Sequence, residues 1–236
     1  MTTLLPQIWV CVKGFGLYII CCALLAVLIN FVFPKIPRFI FRKILHLIAF
    51  TSVLVIIHVA PGWVAAAVTC VWFIVIVWPI LVLLERCDWY ANLFVQKSKG
   101  EVKKSMILIF GMACFMISVC WGLLGRKDLL IASIAMWGMG DAMAAVVGQS
   151  VGRHHFSWER VRRKTYEGTI AMFLASFVVG VVCFWAFSDV EFGFAVFMCL
   201  VAAVFGSFVE LVSSSELDTI TVPCAIAFVL WGMSLL

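Results

Sequence analysis

Eight apolar runs, each close to the roughly 20 residues that a membrane-crossing helix needs, constrain this chain more than any other feature. They lie at about 15–33, 44–60, 63–84, 106–124, 128–148, 169–187, 192–212 and 219–235, with charged connections between them. A strand with an open edge cannot satisfy its backbone in hydrocarbon, whereas a helix pairs every N–H and C=O internally. The expected fold is therefore all-α: a polytopic membrane helix bundle of about eight transmembrane helices, with residues 1–236 as a single transmembrane domain. The second and eighth runs are short for a full crossing, which suits little tilt or a partly re-entrant path. Pro79 lacks a backbone donor and is positioned to kink the third run. The first run resembles a signal peptide only superficially: it has no basic n-region beyond Lys13 and no A-x-A site.

Composition excludes the other classes. The chain is 65% hydrophobic and 12% charged, against about 45–50% and about 25% in soluble domains. Disorder requires the opposite balance. The ten cysteines sit mostly inside apolar runs with no C-x-x-C spacing, which speaks against a secreted disulfide scaffold. No internal repeat or low-complexity stretch stands out.

The basic residues set the topology. Lys35, Arg38, Arg42 and Lys43 fall in one connection, Arg86, Lys97, Lys99, Lys103 and Lys104 in a second, and Arg153, Arg160, Arg162, Arg163 and Lys164 in a third. These alternate connections carry 14 of the 17 Lys and Arg. The positive-inside rule assigns them to the cytoplasm and both termini to the opposite side. Contact with anionic lipid headgroups accounts for the net charge of +5 without any nucleic-acid partner.

Ionisable residues within spans are costly and are the first functional candidates. Asp141 lies in the apolar helix expected over 128–148. At 100° per residue, Asp141, Ala145, Gly148 and Gly152 share a face of small residues. Such a face admits a bulky ligand or, on the competing reading, forms a helix–helix seam with Asp141 paired to a base. The loop 149–168 follows directly and serves as the expected active-site loop. Its glycines (with Gly148, Gly152 and Gly168) permit close backbone approach. Arg153, Arg163 and Lys164 suit phosphate. Thr165 is placed to cap the next helix, with Glu167 and Gly168 in its first turn, and a helix N-terminus itself favours anions. An ordinary basic loop is the plainer alternative. Glu210 and Asp218 face the same side, so Asp141, Glu167, Glu210 and Asp218 can gather there as hard oxygen ligands for Mg²⁺ on phosphate. His46 lies one turn after Arg42 and Lys43. The adjacent pair His154–His155 has no third soft ligand near it, so zinc is discounted.

The string Gly140-Asp141-Ala142-x-Ala144-x-x-x-Gly148-x-x-x-Gly152-Arg153, followed by Arg163-Lys164-Thr165-x-Glu167-Gly168-Thr169, resembles the polyprenol kinase family. That family includes dolichol, phytol and farnesol kinases and CTP-dependent diacylglycerol kinase. Arg42-Lys43-x-x-His46 is similar to an element near the start of many members. Val209-Glu210 and Asp218-Thr-Ile-Thr-Val-Pro223 resemble the family's ending, with Thr219 where Asn is usual. Phosphatidate cytidylyltransferase, a relative, carries a similar central block, but its C-terminal signature is absent from this sequence.

The resemblance implies transfer of the terminal phosphate of CTP to the hydroxyl of a membrane lipid alcohol. Mg²⁺ would be held by Asp141 and by Glu167, Glu210 or Asp218. Arg153, Arg163 and Lys164 would hold phosphate oxygens, and Gly148, Gly152, Thr165 and Gly168 would line the nucleotide. Asp141, Lys164 and His46 are the catalytic candidates, with the proton acceptor open between Asp141 and His46. No Walker-type Gly-x-x-x-x-Gly-Lys-Ser/Thr occurs. Two rival readings are cytidylyl transfer to phosphatidate and an ion- or proton-coupled transporter centred on Asp141.

Overall fold

The structure is a computed structural model that describes residues 4–32, 36–86, 100–158, 161, 164–214 and 217–236. Eight helices are described: α1 Leu4–Val32, α2 Arg38–Val59, α3 Trp63–Leu84, α4 Glu101–Met116, α5 Lys127–Ser150, α6 Tyr166–Phe187, α7 Phe192–Val212 and α8 Asp218–Met233. Seven spans are long and apolar enough to cross a membrane, the fourth of them (Lys103–Leu123) being α4 together with the π-helical stretch that follows it, and α8, with 16 residues, is shorter. Among the described residues there is no strand, only one isolated antiparallel bridge. The all-α polytopic expectation holds.

Several boundaries differ from the sequence reading. α2 has 22 residues and begins at Arg38, so the second run is a full-length span, and Arg42, Lys43 and His46 lie inside it. Basic side chains with long apolar stems end an apolar run on paper but not a helix, because they can reach back to the headgroups. α3 continues as helix through Pro79 to Leu84. α4 passes into a π-helical stretch, Ile117–Leu123. There Gly122 meets the Trp63 ring, with a Cβ position 3.0 Å from it.

The chain divides into two compact units, residues 1–123 and 124–236. In the first, Phe15, Phe73 and Phe110 from α1, α3 and α4 pack with ring centroids 4.2–6.0 Å apart. Tyr18 and Thr51 share a hydrogen bond of 3.1 Å. Serine and threonine hydroxyls throughout return to carbonyls one turn earlier, as at Thr51, Ser52, Thr69 and Ser118. That is the cheapest way to satisfy them in an apolar surround.

In the second unit, α5 packs on α6, α6 on α7, α7 on α8, and α8 back on α5. α5 is the most enclosed member: Leu129 to Gly138, Gly140 and Ala142 are all buried. A helix apolar on all sides is expected to be buried in this way. Close approach comes from small residues. A Cβ on Gly180 would lie 2.8 Å from Met136 Sδ and 3.1 Å from Cys199 Sγ, and one on Gly206 would lie 2.8 Å from Ile226. Ser176 Oγ crosses the α5–α6 seam to donate to the Met136 carbonyl at 2.9 Å. At the end of this unit bearing Arg126, that side chain binds both oxygens of Asp128 at 3.0 and 2.8 Å, and Ser188 Oγ donates to the same carboxylate.

Candidate active site at the α5–α6 hairpin

The α5–α6 seam runs through Gly140, Ala144 and Gly148. A Cβ on Gly140 would strike Ser176 Oγ and lie 3.1 Å from Met172, and one on Gly168 would lie 2.9 Å from the Ala144 carbonyl. Asp141 and Ala145 therefore sit one residue, about 100°, round from the contact line. Asp141 is half-buried, two turns and about 10 Å along the helix axis before Gly148. Its assignment to one helical face with Gly152 needs correction, because α5 ends at Ser150. Gly152 meets the seam only because the chain turns back.

That turn brings four expected residues together. Thr165 is the N-cap of α6, and its Oγ1 accepts from Gly168 N–H at 3.1 Å. Its side chain is enclosed by three glycines: added Cβ atoms on Gly148, Gly152 and Gly168 would lie 3.1, 2.8 and 3.1 Å from Thr165 Oγ1. Thr165 is only 5% exposed. The small size of Gly148 and Gly168 is taken up by contact between the two helices.

The loop between the helices is a hairpin. His155 and Thr165 form the backbone bridge, Tyr166 N–H donates to the His154 carbonyl at 3.0 Å, and Phe156 N–H donates to the Lys164 carbonyl at 3.4 Å. Phe156 and Tyr166 stack with centroids 4.0 Å apart. Glu167 reaches back to the hairpin base: Oε1 accepts from the N–H of Arg153 at 3.2 Å and of His154 at 3.3 Å, and lies 2.6 Å from His154 Nδ1. Arg153 itself is exposed. Arg163 lies outside the described residues.

Lys164 ties the hairpin to α7. Its Nζ lies 2.8 Å from Glu210 Oε1 and also donates to the Glu210 carbonyl. Glu210 is 8% exposed, so this ion pair is largely withdrawn from water. Six residues after the end of α7, Asp218 opens α8, where a carboxylate complements the helix dipole. Asp218 N–H donates to the Ser214 carbonyl at 3.1 Å, and Thr219 Oγ1 donates to Asp218 Oδ1 at 3.4 Å. Ser213 and Thr221 hydroxyls meet at 2.9 Å across the same turn.

Gly148, Gly152, Arg153, Lys164, Thr165, Glu167, Gly168 and Glu210 are thus linked by direct contacts, through the backbone in the case of Arg153. Asp218 lies just beyond Glu210 along the chain. His46 belongs to the first unit, half-buried with its ring 6.4 Å from Phe50. Among the described residues, no three His, Cys, Asp or Glu side chains form a preassembled metal cage. The Gly140-x-x-x-Ala144-x-x-x-Gly148 spacing signals the helix–helix seam, which the sequence reading held as the competing role of the small residues on this helix. Two contacts were missed. His154 as a partner of Glu167, and the approach of Lys164 to Glu210 across 46 residues, had no local signal.

Comparison with known proteins gives two relatives. Phytol kinase of Synechocystis sp. is 33% identical over 239 residues, covering 97% of this chain and 94% of that protein. Dolichol kinase EVAN of Arabidopsis thaliana is 30% identical over 145 residues, covering 58% of this chain and 25% of that protein. No family model and no solved structure matches the chain. With the first similarity running almost end to end at 33% identity, the chain belongs to the polyprenol kinase family.

Proposed function

We propose that the protein is a lipid-alcohol kinase that transfers the terminal phosphate of CTP to the hydroxyl of a membrane isoprenoid alcohol of the phytol, farnesol or dolichol type, or of diacylglycerol. The observation that carries this reading is the junction of Lys164 with Glu210. It joins the basic hairpin and the acidic end of α7, the two parts of the sequence most suited to phosphate and to its counterion. The names of the relatives, phytol kinase and dolichol kinase, support an alcohol acceptor.

Phosphoryl transfer depends mainly on alignment and charge neutralisation. In this reading the bond between the terminal phosphorus of CTP and its bridging oxygen breaks. A new bond forms from the lipid hydroxyl oxygen to that phosphorus, the hydroxyl proton is released, and CDP and a lipid monophosphate leave. Arg153, Arg163 and Lys164 bind phosphate oxygens. Gly148, Gly152, Thr165 and Gly168 set the backbone beside the nucleotide. Asp141 is the candidate proton acceptor in the unit that carries the hairpin. Mg²⁺, when bound, supplies further charge neutralisation on the phosphates. Asp141, Glu210 and Asp218 are suited to it as hard oxygen donors, because this ion is commonly held by one or two carboxylates together with substrate phosphates. The lipid tail stays in the bilayer against the apolar helix faces, and the hairpin lies on the cytoplasmic side near anionic headgroups.

The test is purified protein with labelled CTP, Mg²⁺ and a panel of phytol, farnesol, dolichol and diacylglycerol. The expected products are a lipid monophosphate and CDP. A CDP-lipid with pyrophosphate would mean cytidylyl transfer instead, and bound CTP with no product would end the kinase reading.

A further inference from the structure

The Glu167 carboxylate is engaged by its own chain. Two successive backbone N–H groups, of Arg153 and His154, converge on Oε1 at 3.2 and 3.3 Å, and the His154 N–H also lies 3.4 Å from Oε2. The His154 imidazole adds a contact of 2.6 Å to Oε1. Successive amides pointing to one anion form a concave anion site, and here it is filled by a side chain 13 and 14 residues further on. An ionised carboxylate has about four lone-pair sites, and this one already meets three donors. Glu167 also lies in the first turn of α6, where its charge is favoured by the helix dipole.

We propose that Glu167 is a positioning residue: it clamps the base of the hairpin to α6, so that Arg153 and Lys164 are held for the nucleotide phosphates, and it does not ligate a metal. The proposal rests on the site being a nucleotide site, as argued above. A metal on Oε1 would have to displace donors and leave the N–H groups of Arg153 and His154 without their acceptor. Lys164 leaves the hairpin two residues before α6 begins and reaches Glu210 on α7, so loosening the hairpin base loosens the lysine as well.

Glu167→Gln keeps one acceptor oxygen and turns the other into a donor facing donors. The expected result is a rise of about tenfold in KM for CTP with kcat held within about twofold. The Mg²⁺ concentration for half-maximal rate at saturating CTP stays unchanged. Hydrogen exchange at the amides of Arg153 and His154 accelerates by about tenfold or more. A raised Mg²⁺ requirement with unchanged KM for CTP, or unchanged exchange at both amides, overturns the proposal. If Glu167→Gln does not fold, Glu167→Asp, which withdraws the carboxylate by one methylene, carries the same three readings. If the unaltered protein phosphorylates no alcohol, the kinase reading falls, while faster amide exchange together with weakened CTP binding in the variant still supports the clamp.

Discussion

Lys164 carries two roles that one substitution confounds. Its ammonium is the partner of a largely buried carboxylate, and it is also a candidate phosphate ligand. Removing one member of a buried ion pair leaves the other charge uncompensated, at a cost of roughly 3 kcal/mol. Lys164→Ala is therefore expected to lower both thermal stability and turnover, the latter more than tenfold. Adding Glu210→Gln removes the orphaned charge. The double variant should recover most of the lost unfolding temperature and none of the activity. Recovery of both, read by thermal unfolding and product formation, would make Lys164 purely structural. Asp141 makes the contrasting case: Asp141→Asn is nearly isosteric, so a loss of turnover above tenfold with normal membrane insertion would report on its charge.

At the scale of elements, the α5–α6 seam depends on glycine as the absence of a side chain, with no unusual backbone angle involved. Gly140→Ala forces a methyl onto Ser176 Oγ and towards Met172, and overpacking of this kind costs about 1–3 kcal/mol. Ser176→Gly vacates the space. The double variant is expected to be more stable than the sum of the single losses, a coupling that unfolding measurements can read directly. Gly232→Ala, where nothing lies within 4 Å of the added methyl, is the control and should be nearly neutral. α7 illustrates a different device. Glu191 caps it by accepting from the N–H of Gly193 at 2.9 Å and of Phe194 at 2.7 Å. These bonds, the Gly193 N–H foremost, hold its carboxyl below the ordinary glutamate value. A depressed folded-state value means that the cap contributes fully above the unfolded value, near pH 4.3. That contribution is lost as the pH falls through the lower folded value. The stability difference between the native chain and Glu191→Gln should therefore be present at pH 7 and fade in acid. A difference that grew on acidification would contradict the cap.

For the whole molecule, the distribution of Lys and Arg makes a prediction about sides. Single cysteines introduced at positions 155 and 214 in a background stripped of native cysteines should label from the cytoplasmic face, and one at position 126 from the opposite face. Labelling of 155 and 214 from different sides would separate the hairpin from the α7–α8 turn and end the proposed site. Much of this was legible in advance. Spans 63–84 and 192–212 coincide with α3 and α7, because uninterrupted apolar runs have no other way to satisfy their backbone in lipid. Thr165 was legible as a cap from its hydroxyl and its place before an apolar run. The start of α2 was not, because Arg42 and Lys43 look like a boundary when only hydropathy is read.

The amino-acid sequence by itself determined the helical membrane fold, the order of the spans and the membership of the family. Those follow from hydropathy, charge asymmetry and short motifs, all of which act over one helix or less. Tertiary structure alone decided that α5 meets α6 along Gly140, Ala144 and Gly148, that Glu167 closes on the hairpin base, and that Lys164 meets Glu210. Each of these depends on how far the chain turns after Ser150 and on which helix faces touch. That is settled by packing small side chains against one another and by finding partners for groups that cannot remain unpaired in a low-dielectric interior.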